Sequence, residues 1–343
     1  MGAGIIGVSV AFNLAKTLPP PVVVVDKGRA GSGSTASALG GFRHQFSSRL
    51  NVELSIESVA ILEDLKQTMG VDPLLRYDGY AFIAEAPESF DALKRNVLTQ
   101  RSLGVPVEVY TGAELQSLLP FYNFKDVLGG TLCYRDGHAL TSAVHQAYLS
   151  GALQSGAELL ENTEVTGINL YREWVTGVET TRGRIDCEKV VIAAGPYYAQ
   201  VGKLVGLNIP VIPTLRKILF TKGTPPNVPE SFPLIVNVDS TLAIGKEPRS
   251  IFFSDNMLNI QGFEADFPPE YDEELFSKAI ERMPLLSDLP IGYFVKGLYE
   301  ITPDSNPIVS ECGIEGLYIC AGFSGHGFMH APAIDVIMAE LVG

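Results

Sequence analysis

Residues 2–7 read GAGIIG, with only Met1 before them. The spacing is G-x-G-x-x-G, a turn that leaves a buried parallel strand, opens a helix and seats a pyrophosphate on the helix N-terminus. Gly2 permits the tight turn, Gly4 lets backbone approach the pyrophosphate, and Gly7 lets the helix pack on the sheet. The N–H groups and partial positive charge at the helix start face the phosphates. Residues 8–16, VSVAFNLAK, continue as a short helix, and Pro19, Pro20 and Pro21 end it. Then comes VVVV at 22–25, four β-branched residues without polar alternation, which reads as a strand buried on both faces. Asp26 closes that strand at the distance, about 20 residues past the glycines, where a carboxylate meets an adenosine ribose. The competing reading, a glycine-rich helix start used only for packing, leaves the buried strand and the acid unexplained.

The same buried-strand signature recurs at 190–194 (VVIAA) and 317–321 (LYICA). Helices are expected at 55–69, where Ile56, Val59, Leu62 and Leu65 recur, at 143–155, and at 331–342 after the glycine-rich turn 322–327. Short strands are expected around Val165 and Val178, with a turn at Arg182 and Gly183. Residues 80–84 form a strand in a different setting. Residues 209–297, rich in proline, alternate like an antiparallel sheet, as at 251–253 and 258–260. The fold expected is therefore α/β. A doubly wound nucleotide-binding domain made of residues 1–76, 130–208 and 298–343 is interleaved with an antiparallel-sheet α+β substrate domain of residues 77–129 and 209–297.

The totals fit two cores: 343 residues, 46% hydrophobic and 19% charged. A net charge of −14 repels polyanions, so no nucleic-acid partner is expected. Cys133, Cys187, Cys312 and Cys320 form no C-x-x-C and complete no zinc spacing with the histidines, so no metal is expected. They read as small buried hydrophobes in a reducing, cytoplasmic setting. Residues 3–15 are apolar, but lack the basic flank and cleavage site of a signal peptide. Ile6 stands where a myristoylation signal wants Ser or Thr, and no run approaches the roughly 18 apolar residues of a membrane span.

Two more segments carry chemistry. Residues 31–41, GSGSTASALGG, combine hydroxyls and glycines without bulk. A nicotinamide enzyme has no need of such a loop after the second strand. The pyrophosphate and ribityl chain of FAD pass here, and small hydroxylated residues can bond both; a flexible surface loop is the alternative. Residues 321–329, AGFSGHGFM, precede the last helix. That helix's N-terminus can face the negative charge that a reduced isoalloxazine carries at N1 and the C2 oxygen. His326 is either an added donor there or a packed core histidine.

Together, and in this order, these segments resemble the D-amino-acid-oxidase-like FAD-dependent oxidoreductase family, in its sarcosine oxidase and amino-acid (proline) dehydrogenase β-subunit branch. The resemblance spans nearly the whole chain. It rests on residues 2–7, Asp26, residues 34–43, residues 190–195, Thr302-Pro303-Asp304 and above all GFSGHGF at 322–328. It implies an FAD-binding (Rossmann-like) domain and a sheet that covers the flavin. It also implies hydride transfer from an amino acid's C–N carbon to flavin N5, giving an imine that water hydrolyses. Implied cofactor contacts are Gly2, Gly4, Ile5, Ile6, Gly7, Asp26 and Lys27 in the first βαβ unit. Ser34, Thr35, Ala36, Leu39, Gly40 and Gly41 follow in the small-residue loop. Val165 (through its backbone, to adenine), Ala194, Gly195, Gly325, His326, Gly327, Phe328 and Met329 complete the set. Arg43 matches the position that holds the substrate carboxylate, a role its forked guanidinium suits, against a surface ion pair as the alternative. Tyr299, His326 and Met329 stand beside flavin and substrate.

Three departures from the family pattern refine this. The thiol that links the flavin covalently in monomeric sarcosine oxidase falls near Gly297, so FAD is expected to be noncovalent. A carboxylate-binding lysine after GFSGHGF is Met329, which suits a more apolar substrate body. A lysine that promotes oxygen reaction aligns with Asn259. The leading expectation is an FAD-dependent dehydrogenase, rather than an oxidase, acting on a secondary amino acid such as proline or sarcosine. Its electrons go to an acceptor protein or quinone, and the chain is a subunit of a hetero-oligomer. The alternatives are a noncatalytic FAD-binding assembly factor and a flavoenzyme oxidising a C–O bond. The family's central strand precedes the first glycine, and its loss would leave buried backbone groups unpaired at about 1–3 kcal/mol each. The expectation is that the natural chain begins upstream and supplies that strand.

Overall fold

The computed structural model describes residues 1–343. The first helix, Ile5–Thr17, starts directly out of the glycine turn. Its N-cap, Gly4, has no side chain to cap with, and the Ile5 N–H goes instead to Thr35 Oγ1 at 3.0 Å, so the small-residue loop caps the helix. The strand Val23–Val25 pairs in parallel with Glu158–Leu160. A second parallel pair, Val190–Ile192 with Leu317–Ala321, carries Ile308–Glu311 antiparallel on its outer side. Residues 1–3 join the two groups. Gly2 N donates to Val25 O (2.8 Å), the Met1 amine donates to Val191 O (2.7 Å), and Ala193 N donates to Met1 O (2.8 Å). Bonds expected of a central strand are thus made in part by the first two residues.

Eight strands form the large sheet, in the order Ile291–Ile301, Ile212–Thr221, Ser250–Ser254, Ala243–Glu247, Leu234–Asn237, Tyr80–Ala84, Gly129–Cys133 and Glu108–Thr111. Neighbours are antiparallel except Leu234–Asn237 beside Tyr80–Ala84. Alternation sends Leu219, Ile235, Ile244, Ile251 and Phe253 outward to pack with Leu275, Ala279, Met283 and Leu286 of the helix Tyr271–Arg282 and the turn after it. Tyr80, Phe82, Ile218, Leu234, Val236, Phe252 and Val295 form the opposite face, which looks toward the first helix and the small-residue loop across a cavity.

Several elements differ from expectation. Residues 130–133 lie in the large sheet, because the strand Gly129–Cys133 finds antiparallel partners on both sides. The strand Ile291–Ile301 runs unbroken through the boundary drawn at 297/298, since its pairing with Ile212–Thr221 continues to Ile301. The last helix begins at Gly327 despite Pro332. A proline removes one N–H and its bond, and the next N–H, of Ala333, goes to Ser58 Oγ at 3.1 Å. All four cysteines are free thiols. No helix is long and apolar enough to cross a membrane.

The first and last helices pack side by side, and Asn13 Nδ2 donates to Asp335 Oδ1 across them at 2.7 Å. Asp335 is buried, its Oδ2 has no partner, and burial pushes its carboxyl from 3.8 up to about 8. A carboxyl raised in the fold holds its proton more tightly than the unfolded chain does. Its stabilising contribution is complete below about 4 and is lost as pH rises through about 8. Asp335→Asn keeps the shape and removes the titration. Its stability relative to the parent therefore climbs with pH between those values, by up to about 1.4 kcal/mol per pH unit. Denaturant midpoints of the two proteins at pH 5, 6.5 and 8 check this, and a constant difference would contradict it.

Candidate active site

A cavity of about 1150 Å³ separates the two layers, more than the roughly 300–1,000 Å³ of a typical small-ligand pocket. One end holds Gly2, Gly4, Asp26 and Val165; the other holds Arg43, Tyr299 and His326 against the large sheet. Two helix N-termini open into it. In the last helix, the first intrahelical bond is His330 N to His326 O (3.1 Å), so the N–H groups of Gly327, Phe328 and Met329 have no intrahelical acceptor. These three residues line the cavity, as Ile5 and Ile6 do at the first helix. A cavity of this size with two neighbouring anion-seeking helix starts fits a flavin dinucleotide, pyrophosphate at the first and the electron-rich edge of the ring at the second.

Of the residues expected to contact cofactor or substrate, all line this cavity except Gly7 and Ala36. Gly7 acts behind it: a Cβ there would lie 1.9 Å from Gly2 O. Ala36 lies in the turn Ser34–Ser37, away from the slot. Asp26 accepts from Ala3 N (2.7 Å) and Gly28 N (2.8 Å), which fixes its carboxylate at the slot's edge. Lys27 Nζ sits 3.2 Å from the Tyr197 ring centroid. The hydroxyls of the small-residue loop are used differently from expectation. Ser34 Oγ donates to Leu298 O (2.7 Å) and Ser37 Oγ to Lys296 O (2.9 Å), tying the loop to the sheet and leaving its backbone to face the slot. At Gly297, the position of the family's flavin-linking thiol, a Cβ would come 2.8 Å from Ser37 Cβ, so the position has no room for a thiol side chain. Asn259 does not line the cavity; on the neighbouring strand, Phe252 and Ser254 do.

The Arg43 guanidinium packs on Phe46, 3.9 Å from its centroid, with Phe82 at 5.1 Å. It donates to Gln45 O and, at 3.0 Å, to His326 Nε2. No carboxylate comes within ion-pair distance of it. Burial lowers its pKa, yet a guanidinium stays protonated at any working pH. Burial, Arg43 and His330 hold His326 well below the ordinary histidine range, so its imidazole is neutral. The segment is clamped from behind. Buried Asp136 accepts from His44 N (2.7 Å), His44 Nδ1 (2.8 Å) and Gln45 Nε2 (2.9 Å), and Thr131 Oγ1 donates to Gln45 Oε1 (2.7 Å). The chamber thus presents a preorganised cation with no counter-ion.

Two cavity residues escaped the sequence reading. Arg216 lies on the sheet face shared with Ile218 and Phe220, a parity that could have been read had the strand's inner face been known. Glu300 follows Tyr299, and burial pushes it up to about 7 despite the facing N–H groups of Gly322 and Phe323. Its Oε2 has no partner.

Comparison with known proteins agrees with this geometry. The L-proline dehydrogenase of P. horikoshii superposes with a TM-score of 0.91 at 29% identity, covering 99% of this chain and 91% of that one. The sarcosine oxidase subunit beta of Rhizobium meliloti (strain 1021) is 26% identical over all of this chain and 83% of its own. The pyruvate dehydrogenase phosphatase regulatory subunit of Mus musculus is 27% identical over 99% of this chain, which spans only 40% of that protein's length. The family model for FAD dependent oxidoreductases matches residues 1–341, and this chain belongs to that family.

Proposed function

We propose that this chain oxidises the C–N bond of a secondary amino acid of the proline or sarcosine type. The observation that carries the reading is Arg43: a buried guanidinium without an acidic partner, facing a chamber beside the flavin site, is built for a carboxylate. FAD bound in the slot would take a hydride, two electrons and one proton, from the substrate carbon, leaving an imine for water to hydrolyse. The chain's own part is placement. Arg43 anchors the carboxylate, neutral His326 holds Arg43 without adding charge, and the face of Phe82, Val236, Ile218 and Phe252 excludes water over the reacting carbon. Met329 and Phe328 supply apolar contact. The proline and sarcosine relatives support this substrate class.

The reading includes electron transfer to a partner protein or quinone rather than to oxygen. Lys217 and Lys296, cross-strand partners on the outer side of the sheet, are paired with Asp272 (2.5 Å) and Asp266 (2.6 Å), and the third cavity lysine, Lys27, lies on the Tyr197 ring. No lysine is then free to meet superoxide-like charge. The relative named as a subunit supports a hetero-oligomer. Anaerobic mixing with proline, sarcosine, glycine and a 2-hydroxy acid tests the whole. The amino acids are expected to bleach the oxidised flavin, with slow re-oxidation by air and fast re-oxidation by a dye. The relative named as a regulatory subunit favours a second reading, a noncatalytic FAD-binding factor. Flavin bleached by none of these compounds would select it.

A further inference from the structure

The substrate chamber holds a second guanidinium. Arg216 lines the cavity and donates only to backbone, to Leu215 O (3.1 Å) and Leu258 O (3.2 Å); its Nε has no partner, and no carboxylate lies within ion-pair distance. Asp255, the carboxylate whose charge acts on Arg216, is already neutralised by Lys278 (2.9 Å) and bonded by the Tyr271 hydroxyl (3.1 Å). A chain of contacts leads from Arg216 to Arg43. The Arg216 Cζ is 5.6 Å from the Tyr299 ring centroid, a Cβ on Gly325 would lie 2.4 Å from that ring, and His326 next to Gly325 meets Arg43 at 3.0 Å. Both cations therefore act on Tyr299 and line one chamber. A single carboxylate can satisfy one of them. The other is then left in the chamber without an anion, Arg216 half-buried or Arg43 buried, which is unfavourable.

We propose that the substrate is a dicarboxylate: a secondary amine bridging two carboxylates, the first held by Arg43 and the second by Arg216. This rests on the amine-oxidation reading and names its substrate class. The second carboxylate is a distal group, so Arg216 acts in selection and leaves the bond changes at the C–N carbon as they are.

The test compares sarcosine with iminodiacetate, N-(2-carboxyethyl)glycine and N-(3-carboxypropyl)glycine as reductants of the bound flavin without air. The best of the dicarboxylates is expected to exceed sarcosine in kcat/KM by about 10- to 100-fold, the worth of one charge-assisted pair. Arg216→Leu is expected to collapse that ratio toward one, and Arg216→Lys to restore part of it. A dicarboxylate-to-sarcosine ratio near one in the parent protein, or an Arg216→Leu variant that lowers both classes equally, would overturn the proposal. Thioether analogues, with sulfur in place of nitrogen, separate the two readings because they bind without oxidation. Tighter binding of the dicarboxylate thioether than of methylthioacetate, followed by the flavin spectrum, upholds the two-cation chamber even if no amine reduces the flavin. Equal binding defeats it even if amines do.

Discussion

Arg43→Leu is expected to lower kcat/KM for the amino-acid substrate by about 10³-fold while FAD stays bound. Each charge-assisted hydrogen bond from a guanidinium to a carboxylate contributes on the order of 1.5–3 kcal/mol, and a forked pair supplies two. At about 1.4 kcal/mol per factor of ten, losing both reaches that range. The loss falls on binding, because the carboxylate is held equally in substrate and transition state; the half-saturating concentration for flavin reduction rises more than the limiting rate falls. Folding is not expected to suffer. Removing an unpaired buried charge relieves desolvation, and leucine keeps contact with Phe46 and Phe82. Arg43→Lys is expected to recover little, since an ammonium cannot fork and loses the stacking 3.9 Å from the Phe46 ring. Rapid-mixing measurement of flavin reduction across substrate concentrations checks this. A variant within threefold of the parent would remove Arg43 from substrate binding and leave the proposed function without its anchor.

How much of this site was legible depended on how local each signal is. GAGIIG, the valine run and Asp26 are close in sequence and near-invariant in geometry, so turn, helix, strand and carboxylate were readable together. The cavity's far wall was not. On the strand Ile212–Thr221, Arg216 shares a face with Ile218 and Phe220, whereas Lys217 shares one with Leu215 and Leu219. Each face carries one cation among apolar residues, and only pairing with a strand some 80 positions away decides which is inward. The serine loop shows the converse. Its composition pointed to a cofactor loop and it lines the cavity, yet two of its hydroxyls are spent on the backbone of that same distant strand. The strand Ile291–Ile301 crosses the expected boundary at 297/298 for the same physical reason. A strand that lines both the substrate chamber and the glycine turn after Phe323 belongs to neither layer alone.

The glycine turn supports the second large effect: Gly7→Ala is expected to yield protein without flavin and with markedly lowered stability. A Cβ at position 7 would stand 1.9 Å from Gly2 O and 2.9 Å from Gly2 C. Those are backbone atoms, so no rotamer change relieves the clash. Gly2 cannot retreat, because its N–H is bonded to Val25 O and Met1 beside it bridges to Val191 and Ala193. Pushing Gly2 away opens the seam between the two parallel strand groups; pushing the helix away moves its N-terminus off the pyrophosphate site. Overpacking alone costs about 1–3 kcal/mol, a large share of a stability of roughly 5–15 kcal/mol, before the linkage lost with the cofactor. Two companion variants make the outcome diagnostic. At Gly167, which does not line the cavity, a Cβ meets only Glu179 side-chain carbons at 3.5 and 3.7 Å, ordinary contact, so Gly167→Ala is expected to keep its flavin. At Gly4 a Cβ meets only Thr35 Oγ1, at 3.2 Å, but projects into the slot, so Gly4→Ala is expected to lose flavin affinity while the chain still folds. The ratio of flavin to protein absorbance after purification, with thermal melting of each variant, reads both effects. A Gly7→Ala protein that retains stoichiometric flavin and melts with the parent would mean that this turn neither packs the helix nor seats the cofactor.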